Sequence, residues 1–188
     1  MAKDYFIKNM VCDRCIKVLR NEIEALGINL QEIELGRVRM DITTQFELET
    51  FQKILDDNGF ELIASMEDKL TEQVKIALIK LMDNLPIQLD EKLSVFLSKK
   101  LNQDYSKISK VFSFTQGITI EKYYIKLKIE KVKELIQGDA HNFTEISQLL
   151  DYSHINHLSR QFKNETGMSL STYKKEQQHF RNSLDQIV

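Results

Sequence analysis

The chain has only two cysteines, and they stand together in Met10-Val11-Cys12-Asp13-Arg14-Cys15. Two soft sulfur donors three residues apart, with a thioether two residues upstream, can close on one soft cation. The apolar run Tyr5-Phe6-Ile7-Lys8 before them predicts a strand, and Ile16, Leu19, Ile23 and Leu26 after them predict a helix ending at Gly27. A helix start favours thiolate over thiol. Paired thiolates suit Cu(I) or Ag(I), whereas Zn(II) asks for four ligands that this segment does not supply. Asp13 is expected to cap the helix or face solvent. A Cys12–Cys15 disulfide switch is the alternative chemistry, and a pair idle in a packing domain is the plain one.

A second set of residues, near the other end, has a different chemistry. Asn156, Ser159, Arg160 and Lys163 fall on one face of a predicted helix, with Leu158 and Phe162 opposite and Ser153 as the expected cap. Asn can read adenine, Arg can read guanine with two hydrogen bonds, and Lys and Ser suit phosphates. His154 and His157 lie three apart on the same helix. With no third ligand nearby they read as surface histidines rather than a metal pair.

The elements that must carry these groups follow from periodicity. Strands are expected at Tyr5–Lys8, Leu30–Leu35, Val38–Ile42 and Phe60–Ala64, and helices at Cys15–Leu26 and Phe46–Asp57. The order is βαββαβ, the ferredoxin-like arrangement. From Glu67 the helical period takes over, with Leu70, Val74, Ala77 and Leu81 on one seam that packs on the helical half or pairs with its copy in a dimer. Pro86, the only proline, separates this helix from the next.

The remainder holds two related helical units. The first runs over Leu89–Leu101, breaks at Asn102-Gln103 and resumes over Asp104–Phe114 before Gly117. An amphipathic connector, Thr119–Ile136, ends at Gly138. The second unit opens at Asn142-Phe-Thr-Glu145, which has the spacing of a capping box. It turns at Asp151-Tyr152 and restarts at Ser153. Ile108-Ser109-Lys110-Val111-Phe112, then Gly117, parallels Leu158-Ser159-Arg160-Gln161-Phe162, then Gly167. Such a duplication predicts two helix-turn-helix motifs.

Net charge is -2 over 188 residues, which is not the footprint of a strongly basic nucleic-acid binder. Of 26 basic and 28 acidic side chains, 8 and 12 lie in residues 1–66, leaving 18 and 16 for residues 67–188, so the helical part is the more basic. No apolar run approaches a membrane span and no secretory signal is visible, so a cytoplasmic, reducing location is expected. No nucleophile, acid–base pair or phosphate loop points to an enzyme.

Residues 1–66 resemble the heavy-metal-associated domain of copper chaperones and metal-exporting ATPases, which carries Gly-Met-x-Cys-x-x-Cys after its first strand. The match is Met10, Cys12 and Cys15, with Asn9 in place of glycine. That resemblance implies that the cysteines bind Cu(I) or another thiophilic ion and that Met10 points inward. Residues 85–177 resemble the AraC/XylS family of bacterial transcription regulators, most clearly over Glu145–Gly167, followed by Ser169 and Tyr173. The resemblance implies base-contacting positions at Asn156, Ser159 and Arg160 and, in the first unit, at Ser106, Ser109 and Lys110. Asp151 replaces the turn glycine, Leu170 a usual proline and Ser113 a basic residue.

The expectation is an α+β ferredoxin-like domain (1–66), a linker helix (67–84), an all-α double helix-turn-helix domain (85–178) and a tail (179–188). Its function is that of a sequence-specific DNA-binding transcription regulator controlled by metal at Cys12 and Cys15. The implied partners are double-stranded DNA, a second copy of the chain and RNA polymerase. The alternative is a metal-delivery or thiol-redox protein whose helical half docks a partner protein.

Overall fold

In the computed structural model the first strand, β1 (Lys3–Lys8), lies inside a four-stranded antiparallel sheet of order β2-β3-β1-β4. The structure describes residues 2–176, 184 and 187, so the expected tail lies outside the described residues apart from Leu184 and Ile187. Two compact units divide the chain, Met1–Ile76 and Ala77–Val188.

The first unit runs β1, α1 (Asp13–Ala25), β2 (Asn29–Glu34), β3 (Arg37–Asp41), α2 (Gln45–Asp57) and β4 (Glu61–Leu62). Tyr5 pairs with Val38 and Ile33 with Val38, so apolar positions of neighbouring strands coincide on one face. Leu19 and Ile23 of α1 and Phe51 and Leu55 of α2 are buried in a core shared with Ile7, Val38 and Met40. The start of α2 is fixed by a capping box, in which Thr44 accepts from the Glu47 amide and Glu47 reaches back. Gly36, in the β2–β3 turn, has φ +72°, and an added Cβ would stand 2.3 Å from Ile76 Cδ1. The backbone conformation therefore favours glycine there, while the Ile76 methyl could shift to admit a side chain. Strand β4 is shorter than the expected Phe60–Ala64, because Ser65 already opens the next helix by accepting from the Asp68 amide at 2.9 Å.

That helix, α3 (Met66–Asp83), contains the division between the units. The expected seam is buried at Leu70, Val74 and Ala77, but so are Thr71, Glu72, Lys75, Leu78, Ile79 and Met82.

The second unit comprises α4 (Leu93–Leu101), α5 (Tyr105–Gln116), α6 (Ile120–Gln137), α7 (Phe143–Leu149), α8 (Ile155–Thr166) and α9 (Leu170–Glu176). Helix α4 starts four residues later than the periodicity predicts. The preceding segment is tied elsewhere: Ile87 donates its amide to the Leu149 carbonyl at 2.8 Å and is itself buried. Helix α6 packs against α5, α7 and α8, with Tyr123, Leu127 and Val132 in the core and a buried Lys133–Glu130 ion pair of 2.6 Å.

Candidate functional site

The second helix-turn-helix is built by α7, a tight turn and α8. Asn142 accepts from the Thr144 and Glu145 amides, and Glu145 accepts from the Asn142 amide at 2.8 Å, completing the expected capping box. The turn at Asp151 has φ +55°, the left-handed region, which is why a glycine suits this place. Tyr152 donates its hydroxyl to Gln161 Oε1 at 2.6 Å, bracing the turn against α8. On α8, Leu158 and Phe162 are fully buried, Asn156, Arg160 and Lys163 are exposed, and Ser159 is half-buried. The polar set expected on one face is therefore presented to solvent by a helix whose other face is anchored.

One expectation is corrected. Ser153 does not cap α8. The cap position belongs to His154, whose backbone is extended and which makes no side-chain cap bond, and the helix begins at Ile155. The Ser153 hydroxyl instead meets His157 Nδ1 at 3.0 Å, four residues on. The His154 and His157 rings stand edge to face with centroids 6.4 Å apart.

The first unit repeats this plan fifty residues earlier. Ile108 and Phe112 are fully buried where Leu158 and Phe162 are, Ser106 and Lys110 are exposed, and Ser109 is half-buried. Its turn uses Asn102 in the left-handed region, φ +49°. Helices α5 and α8 both end on a left-handed glycine, Gly117 and Gly167, whose amides donate to Ser113 and Lys163. Each glycine precedes a hydroxyl cap, Thr119 or Ser169, and each following helix supplies a buried tyrosine against the anchor phenylalanine. Tyr123 lies 5.5 Å from Phe112 and Tyr173 lies 5.4 Å from Phe162, centroid to centroid.

In the first unit the thiols lie where strand gives way to helix. Asn9, at φ +69°, turns the chain, Met10 is fully buried, and Cys12 is the N-cap residue of α1. The Cys15 and Ile16 amides donate to the Cys12 carbonyl, leaving both sulfurs half-buried with Sγ–Sγ 3.1 Å. Burial first, and then the bond to Cys12, push the Cys15 thiol above its usual range. Among the described residues no group of three His, Cys, Asp or Glu converges on one point. The donor set is thus two sulfurs, which fits a two-coordinate soft ion. The sulfurs would have to part, since two metal–sulfur bonds of about 2.3 Å at a tetrahedral angle or wider set them roughly 3.8 Å apart or more.

Two groups near these sites escaped the sequence reading. The Asn9 amide donates to Glu72 Oε1 of α3 at 3.1 Å, so the loop before the thiols is bonded to the long helix. Burial raises the Glu72 carboxyl's affinity for its proton, opposed by Lys75 and by that amide. Lys128, on the connector read only as amphipathic, is buried beside α8. Charged residues at such positions read as solvent-facing until the packing is known.

The geometry defines a double helix-turn-helix unit, and comparison with known proteins agrees: residues 97–176 match the family model described as a helix-turn-helix domain. Its fold is that of AraC-type DNA-binding domains. One similar structure is a transcriptional regulator with an AraC-type DNA-binding domain from Chromobacterium violaceum (TM-score 0.51, 13% identity, covering 60% of this chain and 96% of that one). Another is the C-terminal domain of AraT, a response regulator from Geobacillus stearothermophilus (TM-score 0.51, 19% identity, 63% and 95%). In sequence, 83 residues are 29% identical to the Msm operon regulatory protein of Streptococcus mutans, covering 44% of this chain. The chain spans 30% of the length of that relative. No helix among the described residues is long and apolar enough to cross a membrane.

Proposed function

We propose that the chain is a sequence-specific DNA-binding transcription regulator of the AraC type, with α5 and α8 entering successive major-groove segments of one duplex. The observation that carries this reading is the fifty-residue repeat. Two helices of equal length hang on the same phenylalanine–tyrosine anchors and hold Ser106, Ser109 and Lys110, or Asn156, Ser159 and Arg160, away from the core. Ser153 and Lys163 flank the second set as phosphate contacts. RNA polymerase and a second copy of the chain are the further partners that a regulator of this type implies. The test is selection of bound fragments from genomic DNA, followed by anisotropy on the recovered sequence. An unselective wild type, or an Arg160→Ala variant with unchanged sequence preference, would remove the reading.

For the N-terminal unit we propose the ferredoxin-like, heavy-metal-associated assignment, with Cys12 and Cys15 as ligands of Cu(I) or another thiophilic ion and DNA affinity as the regulated property. The element order, the buried Met10 and the two-sulfur donor set support it. Control requires the ion to favour the DNA-competent state, because equal affinity for both states shifts nothing. Titrating Cu(I), Ag(I) and Zn(II) into the wild type and the Cys12→Ser/Cys15→Ser variant separates the outcomes. Metal-dependent affinity confined to the wild type supports the assignment. Affinity that follows oxidation without metal favours a dithiol–disulfide switch, for which the 3.1 Å sulfur contact is suited.

A further inference from the structure

Lys128 is 8% exposed, and among the described residues its ammonium makes no hydrogen bond or ion pair. It stands over the Tyr152 ring at 4.1 Å and near that of Tyr124 at 5.4 Å, and it lines an open groove of about 470 Å³ between α6 and α8. A buried ammonium with three donors and no acceptor is costly unless an anion completes it. The stacked rings offset only part of that cost.

The other polar groups of the groove indicate what would fit. The Tyr152 hydroxyl is used by Gln161, and the Glu165 carboxylate is used by Lys122. Asp151 acts on Lys128 through space without pairing with it. Arg160 and Asn164 of α8 also line the groove, with no bond of their own among the described residues. Around this open space the Lys128 and Arg160 cations, the Asn164 amide, the Tyr124 hydroxyl and the second ring nitrogen of His157 remain unspent among the described residues. Ammonium and guanidinium groups are both common binders of phosphoryl oxygens.

We propose that the groove between α6 and α8 is an oxyanion site that takes a phosphoryl group against the Lys128 ammonium. The phosphoryl group comes from a DNA backbone passing along α8, in which case the inference rests on the regulator reading, or from a free phosphorylated molecule, in which case it does not. Burial holds the ammonium's pKa down to about 8, and a bound oxyanion reverses that shift.

The experiment compares full-length wild type, Lys128→Met and Lys128→Arg in two arms. Lys128→Met keeps the stem's volume and deletes a buried charge, so it folds; circular dichroism checks this. In the first arm, anisotropy of a mixed-sequence duplex is followed across KCl concentration. Loss of one phosphate contact lowers the log–log salt slope by about 0.9 in Lys128→Met, and Lys128→Arg restores it. In the second, the melting midpoint is followed with inorganic phosphate, chloride and acetate at matched ionic strength. A rise specific to phosphate in the wild type and missing in Lys128→Met assigns the site to a free phosphoryl group. Either result supports the proposal and names the source. An unchanged slope together with phosphate-independent melting, or an equal response to acetate, overturns it. A wild type that ignores duplex altogether removes the regulator reading and leaves the second arm to decide.

Discussion

The two helix-turn-helix units share a scaffold and differ in what they present. Helices α5 and α8 bury equivalent pairs, Ile108/Phe112 and Leu158/Phe162, and stop at equivalent glycines. Their outer faces diverge. The second carries Asn156, Arg160, Lys163 and Asn164, whereas the first carries Ser106, Lys110, Ser113 and Phe114, the last 88% exposed. Their starts diverge too. Asp104 caps α5 with a carboxylate accepting from the Ser106 amide, while α8 begins at His154 with no side-chain cap. The second face offers an Arg and two Asn side chains, whereas the first belongs to the acid-capped helix.

The test with the largest expected effect asks whether the scaffolds are equivalent. Phe112→Ala and Phe162→Ala each remove a fully buried ring stacked on a tyrosine. Each should cost about 3–5 kcal/mol in denaturant unfolding. A loss below about 1 kcal/mol at either site would break the equivalence at its root.

The next largest separates the faces. Arg160→Ala should lose about 1–3 kcal/mol of discrimination at one base, and Lys110→Ala should lose less. Lys163→Ala should weaken all duplexes alike and lower the salt slope by about 0.9. The converse Ser113→Lys should raise that slope by a similar amount. If Lys110→Ala instead cost the more specificity, the order of the two units would be reversed.

Much of this comparison was legible in the chain. Gly117 and Gly167, the capping box at Asn142 and Glu145, and the repeated apolar pairs are local signals whose physics does not depend on the rest of the molecule. What was not legible depended on neighbours. Ser153 and His154 both tolerate an extended backbone, and the choice between them came with the Ser153–His157 contact. The start of α4 was set by a bond from Ile87 to α7, sixty residues on. Glu72 and Lys128 are charged residues on helices, which sequence alone places in water. The thiol pair was visible as chemistry, but the bond from the Asn9 amide before it to Glu72 of α3 was not, since a backbone amide carries no sequence signature.

Backbone strain gives a smaller contrast. Asp151 and Asn102 both turn their units in the left-handed region, one residue apart in the repeat, and Asn tolerates that region better than Asp carrying a charge. Asp151→Gly should stabilise the second unit by up to about 1 kcal/mol, and Asn102→Gly should change the first by less. A destabilised Asp151→Gly would mean that the carboxylate, through its field at Lys128, does more for the fold than its backbone conformation costs.

The smallest expected effect is also the most selective. The Ser106 amide, and then its side chain, hold the Asp104 carboxyl below the usual carboxylate range. Its contribution to stability is therefore complete above the unfolded value of about 4 and is lost as pH falls through the lower folded value. The start of α8, with no carboxylate at its cap, has no such component. Asn caps about as well as Asp, so Asp104→Asn should leave stability at neutral pH nearly unchanged while flattening the acid limb of a stability–pH profile. If the start of α5 meets a duplex, the same substitution also removes a negative charge from the approach of a phosphate and should raise affinity a few-fold, with the gain shrinking as salt rises. An acid limb that flattens without any gain in affinity would place the start of α5 away from the DNA, and the first unit would then serve the second as a scaffold rather than as a reader.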